Sequence, residues 1–248
     1  MAAENIAKSI DVDIGVSSGF SPYHYCGLAD APHWVEIINA VTYGFCMVVA
    51  LLLYALIKRS GQGDLRAYTL ALTVFAIGFT GFASNIFHSF TFYPFYLPWP
   101  DLPLFLFYHA LFVLFFSRDV MLKGVKPLGI MAAVFITSSL LLGYFTMTIL
   151  SGALAIIPAL LYLWWFSAWV FKFLPIGRRT LINALILLLT AMILRSMNGL
   201  VCGIVPLGTY FLWSILSAMS LYLTTRAYLL GRSLNFQPPT PPEKKSQT

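Results

Sequence analysis

The chain has 248 residues, of which 59% are hydrophobic and only 10% charged, with a mean hydropathy of +0.82. A water-soluble domain of this length needs far less apolar surface, so a membrane solvent is the simplest reading. The formal net charge of +6 is not gathered into a basic patch interleaved with exposed aromatics. That argues against a nucleic-acid partner and makes anionic lipid headgroups the natural counter-ions.

Residues 1–33 read as a polar, turn-rich outer segment that could lie as a lid, and they contain Tyr23-His24-Tyr25-Cys26 and Asp30-Ala-Pro32-His33. No charged-then-apolar leader opens the chain, so the first apolar span is expected to serve as an uncleaved signal. Apolar runs long enough for membrane helices then follow at about 35–57, 67–90, 102–117, 127–147, 150–172, 180–204 and 207–230. Open sheets cannot satisfy their edges in lipid, so the expected fold is all-α, an integral membrane bundle of seven transmembrane helices over residues 34–231. After Arg232 the Pro-rich tail of residues 232–248 is disordered by composition.

The basic residues alternate with the spans. Lys58, Arg59 and Arg66 fall in the first connection, Arg118, Lys123 and Lys126 in the third, Lys172, Arg178 and Arg179 in the fifth, and Arg226 and Arg232 at the end. The second, fourth and sixth connections carry no Lys or Arg, which predicts the N-terminus outside and the C-terminus cytoplasmic. Cys26, Cys46 and Cys202 show no ligand spacing, although a Cys26–Cys202 bridge outside is conceivable.

The polar residues inside the spans are the candidates for function. The first span starts beside Trp34 with Glu36 and Asn39 in its first two turns. Glu36 is either a carboxylate favoured at a helix N-terminus or a site residue. The second ends with Ser84 and His88, four apart and so on one helical face. Ser84 could serve close helix packing alone. Asp101 opens the third span with Pro103 in its first turn, as an N-cap would, and His109 follows two turns deeper. The fourth and fifth spans carry no charge between Lys126 and Lys172 and suit lipid or protein packing.

The sixth span contains Arg195, which needs a carboxylate or water, and Asp101 or Glu36 at similar depth are the obvious partners. The seventh begins Pro206-Leu-Gly-Thr-Tyr210-Phe-Leu-Trp213-Ser214, repeating with Tyr210 and Ser214 the spacing of Ser84 and His88. Alternating helix directions bring all of these residues to one depth near the outer leaflet.

Trp34-x-Glu36-x-x-Asn39, Ser84-x-x-Phe87-His88, Asp101-Leu-Pro103, Arg195 and the Pro206–Ser214 stretch together resemble the alkaline ceramidase family, its bacterial branch in particular. That family stands within the seven-helix membrane hydrolases that include the adiponectin and progestin receptors. The resemblance implies a zinc held by three histidines and a zinc-bound water that hydrolyses the N-acyl amide of ceramide-like lipids. It would make His88 a zinc ligand and Ser84 and Asp101 catalytic support. A metal with an open position would lower the pKa of its water and polarise the carbonyl.

Two departures bear on that expectation. Tyr210 and Ser214 stand where the family has its other two zinc histidines, and neutral hydroxyls are weak zinc ligands. Gly27 stands where the family's calcium site has a glutamate, leaving only Glu36, and Asn198 stands where an acid would. No cofactor is therefore expected, unless His24, His33 or His109 rebuilds a zinc site. The leading expectation is a ceramidase-like membrane protein with a lipid-amide cavity, degenerate in its zinc, in which Glu36, Asn39, Arg195, Tyr210 and Ser214 line a polar layer. The alternatives are an active membrane amide hydrolase using Ser84, His88 and Asp101, and an accessory subunit of a larger membrane complex.

Overall fold

The computed structural model describes residues 33–61, 63–90, 101–116, 118–119, 161, 164, 175–201 and 207–235. At some of these positions, among them Glu36, His88, Asp101 and Asn198, the description is of the backbone alone. The described residues form five long helices: α1 (His33–Ser60), α2 (Leu65–Phe90), α3 (Asp101–Phe116), α4 (Pro175–Val201) and α5 (Tyr210–Asn235). They correspond to the first, second, third, sixth and seventh apolar runs. Those at 127–147 and 150–172 lie outside the described residues, apart from Leu161 and Trp164, both helical and exposed.

Among the described residues three stretches are long and apolar enough to cross a membrane, Ile37–Ser60, Leu65–Phe87 and Gly177–Arg195, while Leu104–Phe116 is a shorter apolar helix. They point to a membrane protein. Their exposed faces carry large apolar side chains such as Val41, Leu51 and Leu52 on α1, Leu72 and Phe79 on α2, and Ile186 and Ile193 on α4. In water such surfaces would aggregate, and in lipid they are solvated.

Local chemistry sets the helix ends. Ser60 donates to the Ile57 carbonyl at 2.9 Å, and Gly61 then takes φ 64°, the left-handed cap that glycine adopts without strain. Asp64 caps α2 by accepting the Ala67 amide at 2.9 Å. Gly208, with φ 63°, turns the chain into α5, and the Thr209 carbonyl accepts the Leu212 amide at 3.1 Å.

Two boundaries differ from the sequence reading. The sixth run starts at Pro175 rather than 180, because proline is tolerated in a first helical turn and the following arginines lower hydropathy without lowering helix propensity. The seventh continues to Asn235, so the segment from 232 is not tail throughout. Arg232 lies in α5, is largely buried, and is anchored on Asp64.

Helix α5 packs against each of the other four, and α1 packs along both α2 and α5. The α1–α2 contact is closest at Gly78 and Gly81. A Cβ on Gly78 would come to 2.8 Å from the Cys46 Cβ, and one on Gly81 would overlap the Tyr43 ring. Small residues here let two backbones approach as they commonly do in membrane helix pairs. Phe105, Tyr108 and Phe112 of α3 join Leu221 and Tyr228 of α5 in the core.

Candidate functional site

The pairing of Cys46 with Gly78 and of Tyr43 with Gly81 fixes an antiparallel register between α1 and α2. Extended toward the start of α1, it sets Asn39 level with Ser84 and Asn85, and the backbone of Glu36 level with that of His88. The other helices reach the same end of the bundle. Phe105 of α3, one turn beyond the backbone of Asp101, lies 5.7 Å from Trp213 between ring centroids. Arg195 of α4 lies beside Tyr210 and Trp213 of α5. The sequence-predicted residues therefore share one end of the described helices, although they come from five of them.

At the centre of that end is an aromatic and hydroxyl layer. The phenols of Tyr43 and Tyr210 are hydrogen-bonded at 2.7 Å, both side chains being buried, and their rings are tilted at 53°. The Arg195 guanidinium is buried and stands 5.3 Å from the Tyr210 ring centroid and 4.7 Å from that of Trp213. A desolvated cation over an aromatic face gains about 2 kcal/mol, which offsets part of the cost of burying the charge. The sequence expectation gave Arg195 a carboxylate partner. Two of its neighbours are the ring faces of Tyr210 and Trp213, and the side chains of Asp101 and Glu36 lie outside the described residues.

Ser214 is one helical turn from Tyr210 and, like Ser217 and Asn39, fully buried. Among the described residues Ser214 Oγ, Ser217 Oγ and Asn39 Oδ1 find no hydrogen-bond partner. Buried oxygens without partners cost about 1–3 kcal/mol each and call for an explanation. Ser84 is half-buried on α2, and Asn85 beside it turns its amide back to the Gly81 carbonyl at 2.7 Å. The side chain of His88 lies outside the description, so its expected zinc role has no geometry to set beside it. His109 belongs to the packing: its Nδ1 is 2.8 Å from the Phe105 carbonyl, and its ring contacts Phe105 and Tyr108.

Of the two positions where the resemblance places zinc histidines, Tyr210 spends its hydroxyl on Tyr43. Ser214 offers a neutral oxygen. This pair does not fit a zinc ion, which wants imidazole, thiolate or carboxylate.

Sequence reasoning missed Tyr43. A tyrosine inside an apolar helix reads as core, and the one signal was its position a turn after Asn39. It also missed the opposite end of the bundle, where Arg66 is paired with Asp119, Tyr228 donates to Asp119 at 2.5 Å, and Arg232 donates to Asp64 at 2.8 Å. Arg232 also stands 5.5 Å from the Tyr228 ring centroid. Asp64 and Asp119 are the acids among the first and third basic connections, and that isolation was the available signal. Compared with known protein families, curated proteins and solved structures, the chain finds no match.

Proposed function

We propose that the chain is a multi-pass membrane protein of seven spans, with its N-terminus outside, whose polar layer receives the amide and hydroxyl head of a ceramide-like lipid without a catalytic zinc. The observation that carries this reading is the Tyr43–Tyr210 hydrogen bond beneath Arg195. A position where the resembling family would hold metal is here tied into a protein–protein bond. The buried oxygens of Asn39, Ser214 and Ser217 offer acceptors and donors at the level where a lipid amide would enter. A lipid amide has one donor and one acceptor to place, and its acyl chains would continue into the membrane. The alternation of basic connections supports the seven-span topology.

Two measurements on the purified full chain test the reading. A labelled ceramide should bind, and Tyr210→Phe combined with Ser214→Ala should weaken binding about tenfold, on the scale of one to two lost buried hydrogen bonds. Elemental analysis should find zinc far below one per chain. Near-stoichiometric zinc with ceramide hydrolysis abolished by His88→Ala would replace this reading with the active hydrolase. No ceramide binding at all would end both.

A further inference from the structure

Hydroxyl side chains recur along α5, and most of the buried ones are satisfied by a carbonyl nearby. Thr224 and Thr225 donate to the carbonyls of Ser220 and Leu221, one turn back on the same helix, at 2.7 and 3.0 Å. Ser220 donates across to the Ala184 carbonyl of α4 at 2.8 Å. Thr73 of α2 makes the same one-turn-back bond to Thr69 at 2.8 Å. Ser214 and Ser217 do otherwise. Both are buried, at 2% and 5% exposure, and neither hydroxyl has a hydrogen-bond partner, on its own helix or on a neighbour. A helical serine can reach the carbonyl one turn back by turning about its first side-chain bond. Two adjoining serines that both forgo that bond carry the desolvation cost of two unpaired oxygens, which an incoming group would relieve.

Spacing decides what kind of group can serve both. Three residues apart on α5, Ser214 and Ser217 are separated by about 60° around the axis and about 4.5 Å along it, with their Cβ atoms about 5–6 Å apart. A single oxygen between them, bonded at about 2.8 Å to each Oγ, fits that span. The N–H and C=O of one amide point in opposite directions, so bridging the serines with both would need a wider gap. A hydroxyl can donate to one serine while accepting from the other. Tyr210, with Arg195 over its ring, stands one turn before Ser214 on the same face of α5.

We propose that Ser214 and Ser217 form a hydroxyl-recognising subsite, in which one ligand hydroxyl lies between the two Oγ atoms. This rests on the lipid-amide reading above and deepens it. Ser217 becomes a specificity-determining residue, and the ligand becomes a lipid with a hydroxyl on the carbon beside the one that bears the amide nitrogen. Adjacent carbons keep the two groups within one helical turn, so a hydroxyl at the serines brings the amide to the level of Tyr210. A site built to hydrogen-bond a hydroxyl rejects the analogue that lacks it, because its own buried groups are then left unpaired.

The test uses the purified full chain in detergent, titrated with labelled ceramide and with two analogues, each lacking one of the hydroxyls that flank the amide-bearing carbon. Removal of one of those hydroxyls should weaken binding on the order of tenfold, the scale of one to two buried hydrogen bonds. Ser217→Ala should shrink that discrimination several-fold, and Ser214→Ala with Ser217→Ala should abolish it. Ser220→Ala, buried on the same helix but bonded to α4, should keep it in full. The ligand-free chain supplies a second readout. Ser217→Ala removes an unpaired buried oxygen and should leave the unfolding midpoint unchanged or raise it, whereas Ser220→Ala should lower it. A lowered midpoint for Ser217→Ala with discrimination intact would make Ser217 structural and overturn the proposal. Equal binding of ceramide and both analogues by the wild type, or discrimination that survives in the double variant, would overturn it too. If ceramide does not bind at all, the lipid-amide reading falls, and a long-chain alkanol set against its methyl ether tests the subsite alone. The alkanol should then be preferred by the wild type and not by the double variant, and equal binding by the wild type would sink the subsite as well.

Discussion

The two ends of the bundle bury arginine in different ways. Where α2, α3 and α5 meet beside the α1–α2 turn, Arg66 and Arg232 are given carboxylates, and Asp119 is shared between Arg66 and the Tyr228 hydroxyl. At the other end, Arg195 is laid against the faces of Tyr210 and Trp213. The first solution suits partly exposed side chains such as Arg66, at 31% side-chain exposure, because water still solvates whatever the carboxylate leaves unsatisfied. The second suits a guanidinium at 3% exposure, because an aromatic face balances charge while losing almost no hydration of its own. Arg232, also largely buried, uses both, with the Asp64 carboxylate at 2.8 Å and the Tyr228 ring centroid at 5.5 Å.

The strongest way to break this comparison is at Asp119. Asp119→Ala leaves Arg66 and Tyr228 without their shared acceptor and should destabilise the purified chain by about 3 kcal/mol, on the scale of breaking a largely buried charge pair. Thermal unfolding in detergent would read the loss, and a change within error would mean that this end is held by packing. Next in size is Gly81→Leu, whose side chain must displace the Tyr43 ring and so pull the aromatic end apart. A cost of about 2 kcal/mol is expected from overpacking alone. Ceramide binding should fall with it if the layer is the site, while the ion pairs stay intact.

A smaller effect sharpens the contrast. Tyr43→Phe removes the buried hydrogen bond to Tyr210 and should cost about 1 kcal/mol. The effect should be unchanged between low and high salt. Smallest is the response of the wild type to salt itself. The Arg232–Asp64 pair, with Asp64 at 33% side-chain exposure, should weaken by less than about 1 kcal/mol at high ionic strength. Asp64→Asn should remove that sensitivity, measured as the difference in unfolding midpoint between 0.1 and 1 M salt, about 10 Å and 3 Å of screening length.

How much of this was legible follows from which residues stand out against their surroundings. Arg195 and Tyr210 were readable because a cation in an apolar run, and a hydroxyl opening one, are both costly there. The convergence of separate helices at one end followed from alternating direction alone. Tyr43 was not readable: its partner is 167 positions away, and no local pattern distinguishes a bonded phenol from a packed one. Asp64 and Asp119 were hidden differently. They sit in connections whose basic residues answer the question of topology, and an acid among them looks like ordinary surface until Arg232 is found still inside α5. The boundary at 232 failed for the same reason, because an ion pair from outside the segment extends the helix beyond what its hydropathy predicts.

Because every other described helix leans on α5, the ribosome makes the keystone after all four of its described partners. As synthesis proceeds, α1 and α2 can zip together over their glycines as soon as both are in the bilayer. Tyr43 and Tyr108 must then wait in lipid for hydroxyl mates that the ribosome has yet to add, while Asp119, already facing Arg66, waits only for the Tyr228 hydroxyl. A nascent chain stalled before residue 210 would expose those waiting groups to the cell's quality-control proteases, so turnover of C-terminally shortened chains should be far faster than that of the finished protein.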